Sequence, residues 1–415
     1  MPRRTVWHPF TQHALEDNVP TITRGKGAWL ETDDNRRIFD AVSSWWVVTH
    51  GHRHPAIVAA VKDQIDKLDQ VIFAGFTHEP AEKLAEKLVA ITPLGLEHVF
   101  FSDSGSTSVE VAIKMALGYW RNIGHPRSRI AALEHGYHGD TIGTMSAGAR
   151  GVFNAAYEPL LFDVIRIPFP HAGREQETFD ALEAACRETP VAAFIAEPLI
   201  AGAGGMLIYS PAALAEMKRI CERYGALFIA DEVMTGWGRT GTTFACNQAG
   251  VTPDILCTAK GLTGGSMPLA ATLATSRIYD AHYSEDRART LFHSSSFTAN
   301  PVCCAAALAN LEIWENEPVL DRIAKVGEMQ EQNLTALTES SSRFLNPRRI
   351  GTITAVDLDV ADGGYLAAAG PALRAHFLEQ GILLRPLGNT IYVMPPYCAT
   401  GPDLSLVYEA IRSIP

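Results

Sequence analysis

Long uninterrupted apolar runs, paired-cysteine motifs and basic clusters are all missing from this 415-residue sequence, and each absence removes a class of function. No stretch reaches the roughly 18 consecutive apolar residues of a membrane-spanning helix, and the N-terminus lacks a secretory apolar run. The expectation is therefore a cytosolic protein with no membrane partner. Seven cysteines, an odd number with no C-x-x-C spacing, fit buried thiols in a reducing compartment better than a disulfide framework or a zinc site. The fourteen histidines include no H-E-x-x-H, so no metal is expected. A net charge of −11, with no early basic group beyond Arg3-Arg4, argues against nucleic acid. No G-x-G-x-x-G or Walker A run follows a strand, which disfavours a plain nucleotide-binding module. Neither internal repeats nor low-complexity linkers occur.

What is present is an ordinary globular composition, 47% hydrophobic and 20% charged, with room for a large core and a second domain. Short apolar runs at Val99–Ser102, Ile130–Leu133, Ala192–Ala196, Ala226–Ala230, Ile255–Cys257 and Leu269–Leu273 read as strands buried on both faces. Helical patterns lie between several of them, notably Ser108–Asn122 and Ala212–Tyr224, giving an α/β fold with a mostly parallel sheet. Up to Asp40 there is little helix signal. After residue 315 the pattern turns α+β: a helix over Leu320–Thr338, a strand at Ile353–Leu358, a helix over Ala367–Gln380, then a hairpin-like pair, Leu383–Arg385 and Ile391–Val393. A large domain over 43–315 and a smaller one built from 1–42 and 316–415 are expected. Cys303-Cys304, in an Ala-rich helix, reads as core packing.

Phe228-Ile229-Ala230-Asp231-Glu232 is followed, 29 residues after Asp231, by Lys260 in Leu256-Cys257-Thr258-Ala259-Lys260-Gly261. Each is a short apolar strand ending on an ionisable residue. An amine and a carboxylate so placed are what pyridoxal phosphate needs: the amine holds it as a Schiff base, and the acid keeps its ring nitrogen protonated. Strand ends in α/β proteins often carry Asp or Lys merely as they emerge into water, so neither half decides alone. The pair gains weight because lysines are few. Lys62, Lys67, Lys83, Lys87 and Lys218 sit in charged helical patterns, and Lys114 in an amphipathic one. Gly261, Gly264 and Gly265 after Lys260 permit close approach of the backbone to a ligand.

Other strand ends add to this. Asp103-Ser104-Gly105-Ser106-Thr107 opens a helix, so backbone N–H groups, hydroxyls and the helix dipole converge on a phosphate-sized point, although Ser and Gly also make ordinary caps. Glu134-His135-Gly136-Tyr137-His138-Gly139-Asp140 puts an aromatic between glycines, able to lie on a cofactor ring or to pack under a turn. Glu197, in Ala196-Glu197-Pro198, is placed to orient other groups. Arg385 offers a planar fork for a carboxylate, and Trp45 and Trp46 could wall a long substrate; a surface arginine and simple core packing are the alternatives.

The run Asp231-Glu232-Val233-Met234-Thr235-Gly236-Trp237-Gly238-Arg239-Thr240-Gly241, with Lys260 downstream, resembles the signature of the class III (subgroup II) PLP aminotransferases. Trp7-His8-Pro9-Phe10-Thr11, Ser43-Ser44-Trp45-Trp46, Gly136–Asp140 and Arg385-Pro386-Leu387-Gly388 are similar to the branch that makes 7,8-diaminononanoate in biotin biosynthesis. The resemblance implies a fold-type I homodimer with active sites at the subunit interface. It makes Lys260, Asp231 and Tyr137 catalytic, and gives the phosphate to Gly105 and Ser106 with Ser295 and Ser296 from across the interface. It assigns Phe10, Trp45, Trp46, Ser294 and Arg385 to substrate. The acceptor implied is 8-amino-7-oxononanoate and the donor S-adenosylmethionine; lysine as donor, or another ω-amino acid or diamine reaction, is the alternative. The sequence departs from the pattern twice. Phe10 stands where Tyr is common, removing a hydroxyl from the substrate pocket, and His293-Ser294-Ser295-Ser296 replaces the commoner His-Gly-Pro-Thr.

Overall fold

The computed structural model describes residues 5–15, 19–361, 363, 365–366 and 369–415; Arg3-Arg4 and the first residues of the helix expected from Ala367 lie outside them. Among the described residues the largest sheet has seven strands, in the order Leu96–Ser102, Ala270–Thr275, Ile255–Thr258, Leu227–Asp231, Val191–Ala196, Arg129–Leu133 and Ile165–Ile167. Only Ala270–Thr275 runs against its neighbours; the other pairings are parallel. The central strands are buried at every residue because both faces are covered. Alternation sorts them. Phe194 and Phe228 pack on one side with Leu182, Leu214 and Met217, while Ile195 and Ile229 pack on the other with Val109, Ile113 and Ala116.

Register sets the site. Ala230 lies opposite both Ala196 and Leu256, and Asp231 opposite Cys257. Asp231, Glu197 and the turn to Lys260 therefore leave the sheet along one edge, where open α/β sheets bind their ligands. Ser102 pairs with Ala270, which brings Asp103 and Ser104 to that same edge.

Strands Ile22–Lys26, Trp29–Thr32 and Arg37–Asp40 form an antiparallel set that Ile382–Leu383 joins in parallel. A third sheet of Phe344–Ile350, Ile353–Leu358 and Thr390–Val393 carries the helices Val319–Ser340 and Gly401–Arg412. Of the expected hairpin only the turn closes: Leu387 and Thr390 exchange backbone hydrogen bonds at 2.9 and 3.0 Å around Gly388, at φ 63°. The arms do not pair with each other, the first adding to the N-terminal sheet and the second to the C-terminal one, and Pro386 has no N–H for a ladder between them.

Ser43–Trp46 form a single turn of the wrong hand. All four residues have φ between 47° and 75°, a conformation that costs an L-residue about 1–2 kcal/mol each. Asp40 holds the turn by accepting from Ser44 N and Ser44 Oγ at 2.8 and 2.7 Å, and Ser43 Oγ donates to Met394 O at 2.8 Å. Cys303 and Cys304 are buried in the Pro301–Asn316 helix, as expected. Among the described residues no helix is long and apolar enough to cross a membrane.

Candidate active site

A chamber of about 400 Å³ opens along the strand-end edge, lined by Gly105, Ser106, Tyr137, Glu197, Asp231 and Lys260 among others. Lys260 follows the strand Ile255–Thr258 in a left-handed conformation, φ 47°, and its Nζ stands 4.9 Å from the centre of the Trp46 ring. Burial pulls the ammonium down to about 8; the carboxylates of Asp231 and Glu197 oppose that shift, and Arg239 adds only slightly to it. Burial, more than a neighbouring cation, therefore sets the lysine. The three glycines after Lys260 serve protein packing more than ligand approach: a Cβ on Gly261 would lie 2.6 Å from Trp237 Cβ, and one on Gly265 2.4 Å from Val47 O.

Asp231 is buried, with Oδ2 2.7 Å from His138 Nδ1 and Oδ1 accepting from Val233 N at 3.2 Å, so its carboxylate is fixed in place. His138 was not singled out by the sequence. Its signal was its place beside Tyr137 in the strand-end turn: both residues line the chamber, and His138 reaches the acid. Glu197 accepts from Tyr137 N at 3.0 Å and Gly202 N at 3.1 Å, and burial pushes it up to about 7. Glu232, beside Asp231 in sequence, is structural, accepting from Thr235 Oγ1, Ala245 N and Cys246 N. Arg239 is buried too, donating to Pro395 O, Trp46 O and Val48 O. The signature run thus carries one acid for the chamber and one cation that fastens the backbone of the tryptophan turn.

At the opposite wall the helix Gly105–Asn122 begins with a capping box between Ser104 and Thr107. A Cβ on Gly105 would lie 2.6 Å from Val233 Cγ1, and one on Gly139 2.1 Å from Ser106 Oγ. Glycine is therefore required on both sides of Ser106, whose hydroxyl accepts from Asp140 N at 3.1 Å and keeps its proton free to donate. A helix N-terminus, a free hydroxyl and a glycine floor fit a phosphate. The lysine and fixed carboxylate across the chamber fit an aldehyde-bearing pyridine ring.

A second chamber of about 330 Å³ shares Trp46, Tyr137 and Lys260 with the first. Its outer wall is aromatic. Phe10 meets Trp45 and Phe153 edge-on at 5.4 and 5.8 Å, and Phe153 meets Tyr365 at 4.5 Å. Arg385 lies over Trp45 at 5.1 Å, with one guanidinium nitrogen donating to Phe10 O at 3.0 Å. Trp46 is buried and donates to the Tyr392 hydroxyl at 3.0 Å, whereas Trp45 stays open to the chamber. Phe153, Tyr365 and Tyr392 carried no motif and were not foreseen.

Ser294, Ser295 and Ser296 line neither chamber. Their segment is tethered by Lys114, which donates to Phe292 O at 2.5 Å, and by Gln70, which donates to Ser296 O at 2.6 Å.

Residues 12–414 match the family described as aminotransferase class-III. An adenosylmethionine-8-amino-7-oxononanoate aminotransferase of Synechococcus elongatus is 47% identical over 99% of this chain and 98% of its own. One of Geobacter sulfurreducens is 38% identical, covering 99% and 95%. Among solved structures, the enzyme of that name from Methanocaldococcus jannaschii superposes with a TM-score of 0.93 at 36% identity, over 98% of this chain and 97% of its own. An amine transaminase from an uncultivated Pseudomonas species, in its PLP-bound form, superposes with a TM-score of 0.93 at 33% identity, covering 99% and 98%. The chain belongs to the class-III aminotransferases.

Proposed function

We propose that this chain is a PLP-dependent transaminase that aminates 8-amino-7-oxononanoate to 7,8-diaminononanoate in biotin biosynthesis, with S-adenosylmethionine as donor. The observation that carries the chemistry is Lys260 Nζ, which stands on the wall shared by both chambers and faces a fixed carboxylate. The names of the full-length relatives support the substrates. When bound, pyridoxal phosphate supplies an electron sink for the carbon bearing the amine and stores the amino group between donor and acceptor.

The chain's own residues do the rest. Gly105 and Ser106 would hold the phosphate at the helix N-terminus, and Asp231, oriented by His138, would present its carboxylate to the ring nitrogen. Tyr137 forms a flat wall; burial raises its hydroxyl well above the usual phenol range, so it stays protonated. Lys260 would hold the cofactor through its aldehyde, and its amine, lowered to about 8, is suited to take the proton from the substrate carbon and hand it to the cofactor's carbonyl carbon. Arg385 receives the carboxylate, which both substrates carry, and Trp45 and Trp46 flank the rest.

The active unit in this reading is a homodimer in which Ser295 and Ser296 of one chain complete the partner's phosphate site. Exposed Ile72, Phe76, Phe292 and Phe297 support it, because Gln70 and Asn300 tie their two segments together. The test is a half-reaction screen, with single amines added to the cofactor-loaded protein while its visible absorbance is followed. S-adenosylmethionine should bleach the band and lysine should not; the reverse would reassign the donor.

A further inference from the structure

A third chamber of about 210 Å³ lies beyond the substrate chamber and shares Tyr137, Asp140, Phe153 and Ala203 with it. Nothing in the chemistry above uses it. Five glycines, Gly136, Gly139, Gly148, Gly151 and Gly204, are among its lining residues, with the aromatics Tyr137 and Phe153. Its one cation, Arg150, is engaged by Met145 O, Ser146 O and Phe162 O and by Glu158 at 3.2 Å. A slot lined by glycines and two aromatic side chains suits a flat heterocycle, stacked on its face and hydrogen-bonded at its rim. Whole-ligand pockets run about 300–1,000 Å³, so this one holds a ring system and not a whole substrate.

Phe153 stands between the two chambers, and its backbone is pinned. Buried Asn154 accepts from Gly151 N at 2.9 Å and donates to Ala149 O at 2.8 Å, which fixes the Gly151–Asn154 turn. Phe153 is 37% exposed, and its ring meets those of Phe10 and Tyr365 edge-on. Phe153 is one of the residues that line both chambers.

We propose that the third chamber is a subsite for the purine of a nucleoside-bearing amino donor, with Phe153 as its stacking wall. This rests on the donor assigned above. Such a donor's amine reaches Lys260 through the substrate chamber while its base occupies the slot, so an aliphatic donor gains nothing from it.

Adenosine, which has the base but no transferable aliphatic amine, is the probe. It should bind the cofactor-loaded protein, quench aromatic fluorescence and compete with S-adenosylmethionine. Gly151→Leu is the blocking variant, since a Cβ there meets nothing within 4 Å and the fold tolerates it. It should weaken adenosine and raise the KM for S-adenosylmethionine by about five-fold or more, the scale of one lost base stack, with the KM for the keto acceptor within about two-fold. Phe153→Ala should weaken adenosine similarly and Phe153→Tyr should retain it. Adenosine that fails to bind, or binds Gly151→Leu as it binds wild type, overturns the subsite. If wild type rejects S-adenosylmethionine yet binds adenosine in a Gly151→Leu-sensitive way, the donor assignment fails and the subsite stands.

Discussion

Lys260 draws its reactivity from where it is buried, and that makes its behaviour with pH specific. An unfolded lysine titrates near 10.5 and this one near 8 when folded. Between those values the unfolded chain holds a proton that the folded one lacks, so the cofactor-free protein gains stability as pH rises through that window and bears the cost of a buried charge below it. The same neutral amine must attack the cofactor. The rate at which pyridoxal phosphate becomes attached to the stripped protein should therefore rise with pH to a midpoint near 8, as followed by stopped-flow absorbance. Because the Glu197 carboxylate favours the charged amine, Glu197→Gln should move that midpoint down; an upward move would contradict the electrostatics. Arg385 differs in kind, as one of its N–H groups is already spent on Phe10 O. Arg385→Ala should impair both half-reactions by about 2–5 kcal/mol if each carboxylate is desolvated there, and Arg385→Lys should rescue only partly. A rate loss confined to one half-reaction would end the idea of a shared anchor. Lys260, Asp231 and Arg385 could be picked out because each follows a short apolar strand, and Lys260 with Asp231 gained weight only as a pair in a chain with few lysines. Phe153 and Tyr365 were not, since an aromatic in a loop looks the same whether it faces a cavity or solvent.

Among the elements, the helix Gly105–Asn122 separates folding from binding within two residues. Ser104 closes the capping box, so Ser104→Ala should lower stability by about 1 kcal/mol in denaturant titrations. Gly105→Ala acts on the ligand: its Cβ would push Val233, whose N–H steadies Asp231. It should weaken uptake of pyridoxal phosphate, and competition by inorganic phosphate, by about ten-fold or more. Equal uptake by wild type and Gly105→Ala would move the phosphate elsewhere. The strands of the large sheet were readable because burial on both faces leaves continuous apolar runs, and Ile353–Leu358 appeared with its predicted bounds. Two local features were hidden. The arms of the expected hairpin joined other sheets because pairing of short strands is decided by distant partners, and the left-handed turn at Ser43–Trp46 has no compositional mark, since it contains no glycine.

For the whole molecule, the proposed exchange of Ser295 and Ser296 between subunits predicts complementation. Lys260→Ala chains and Ser295→Ala/Ser296→Ala chains, each inactive or nearly so alone, should recover about a quarter of wild-type activity when unfolded and refolded together, because half the dimers then hold one intact site. No recovery would put both serines in the same site as their own lysine. The turn at Ser43–Trp46 has a consequence of another sort. Four residues held in the mirror-image conformation are a spring that the rest of the protein keeps wound, and its tension belongs to the folding equilibrium and not to the reaction. Trp45 is half in solvent, so its ring adds little to stability while its backbone subtracts from it. Trp45→Gly should therefore melt higher than Trp45→Ala, by about 1 kcal/mol in unfolding free energy, although both lose the same wall of the substrate chamber. The sequence that folds best is then not the one that catalyses best, and selection for heat resistance alone would unwind this turn first.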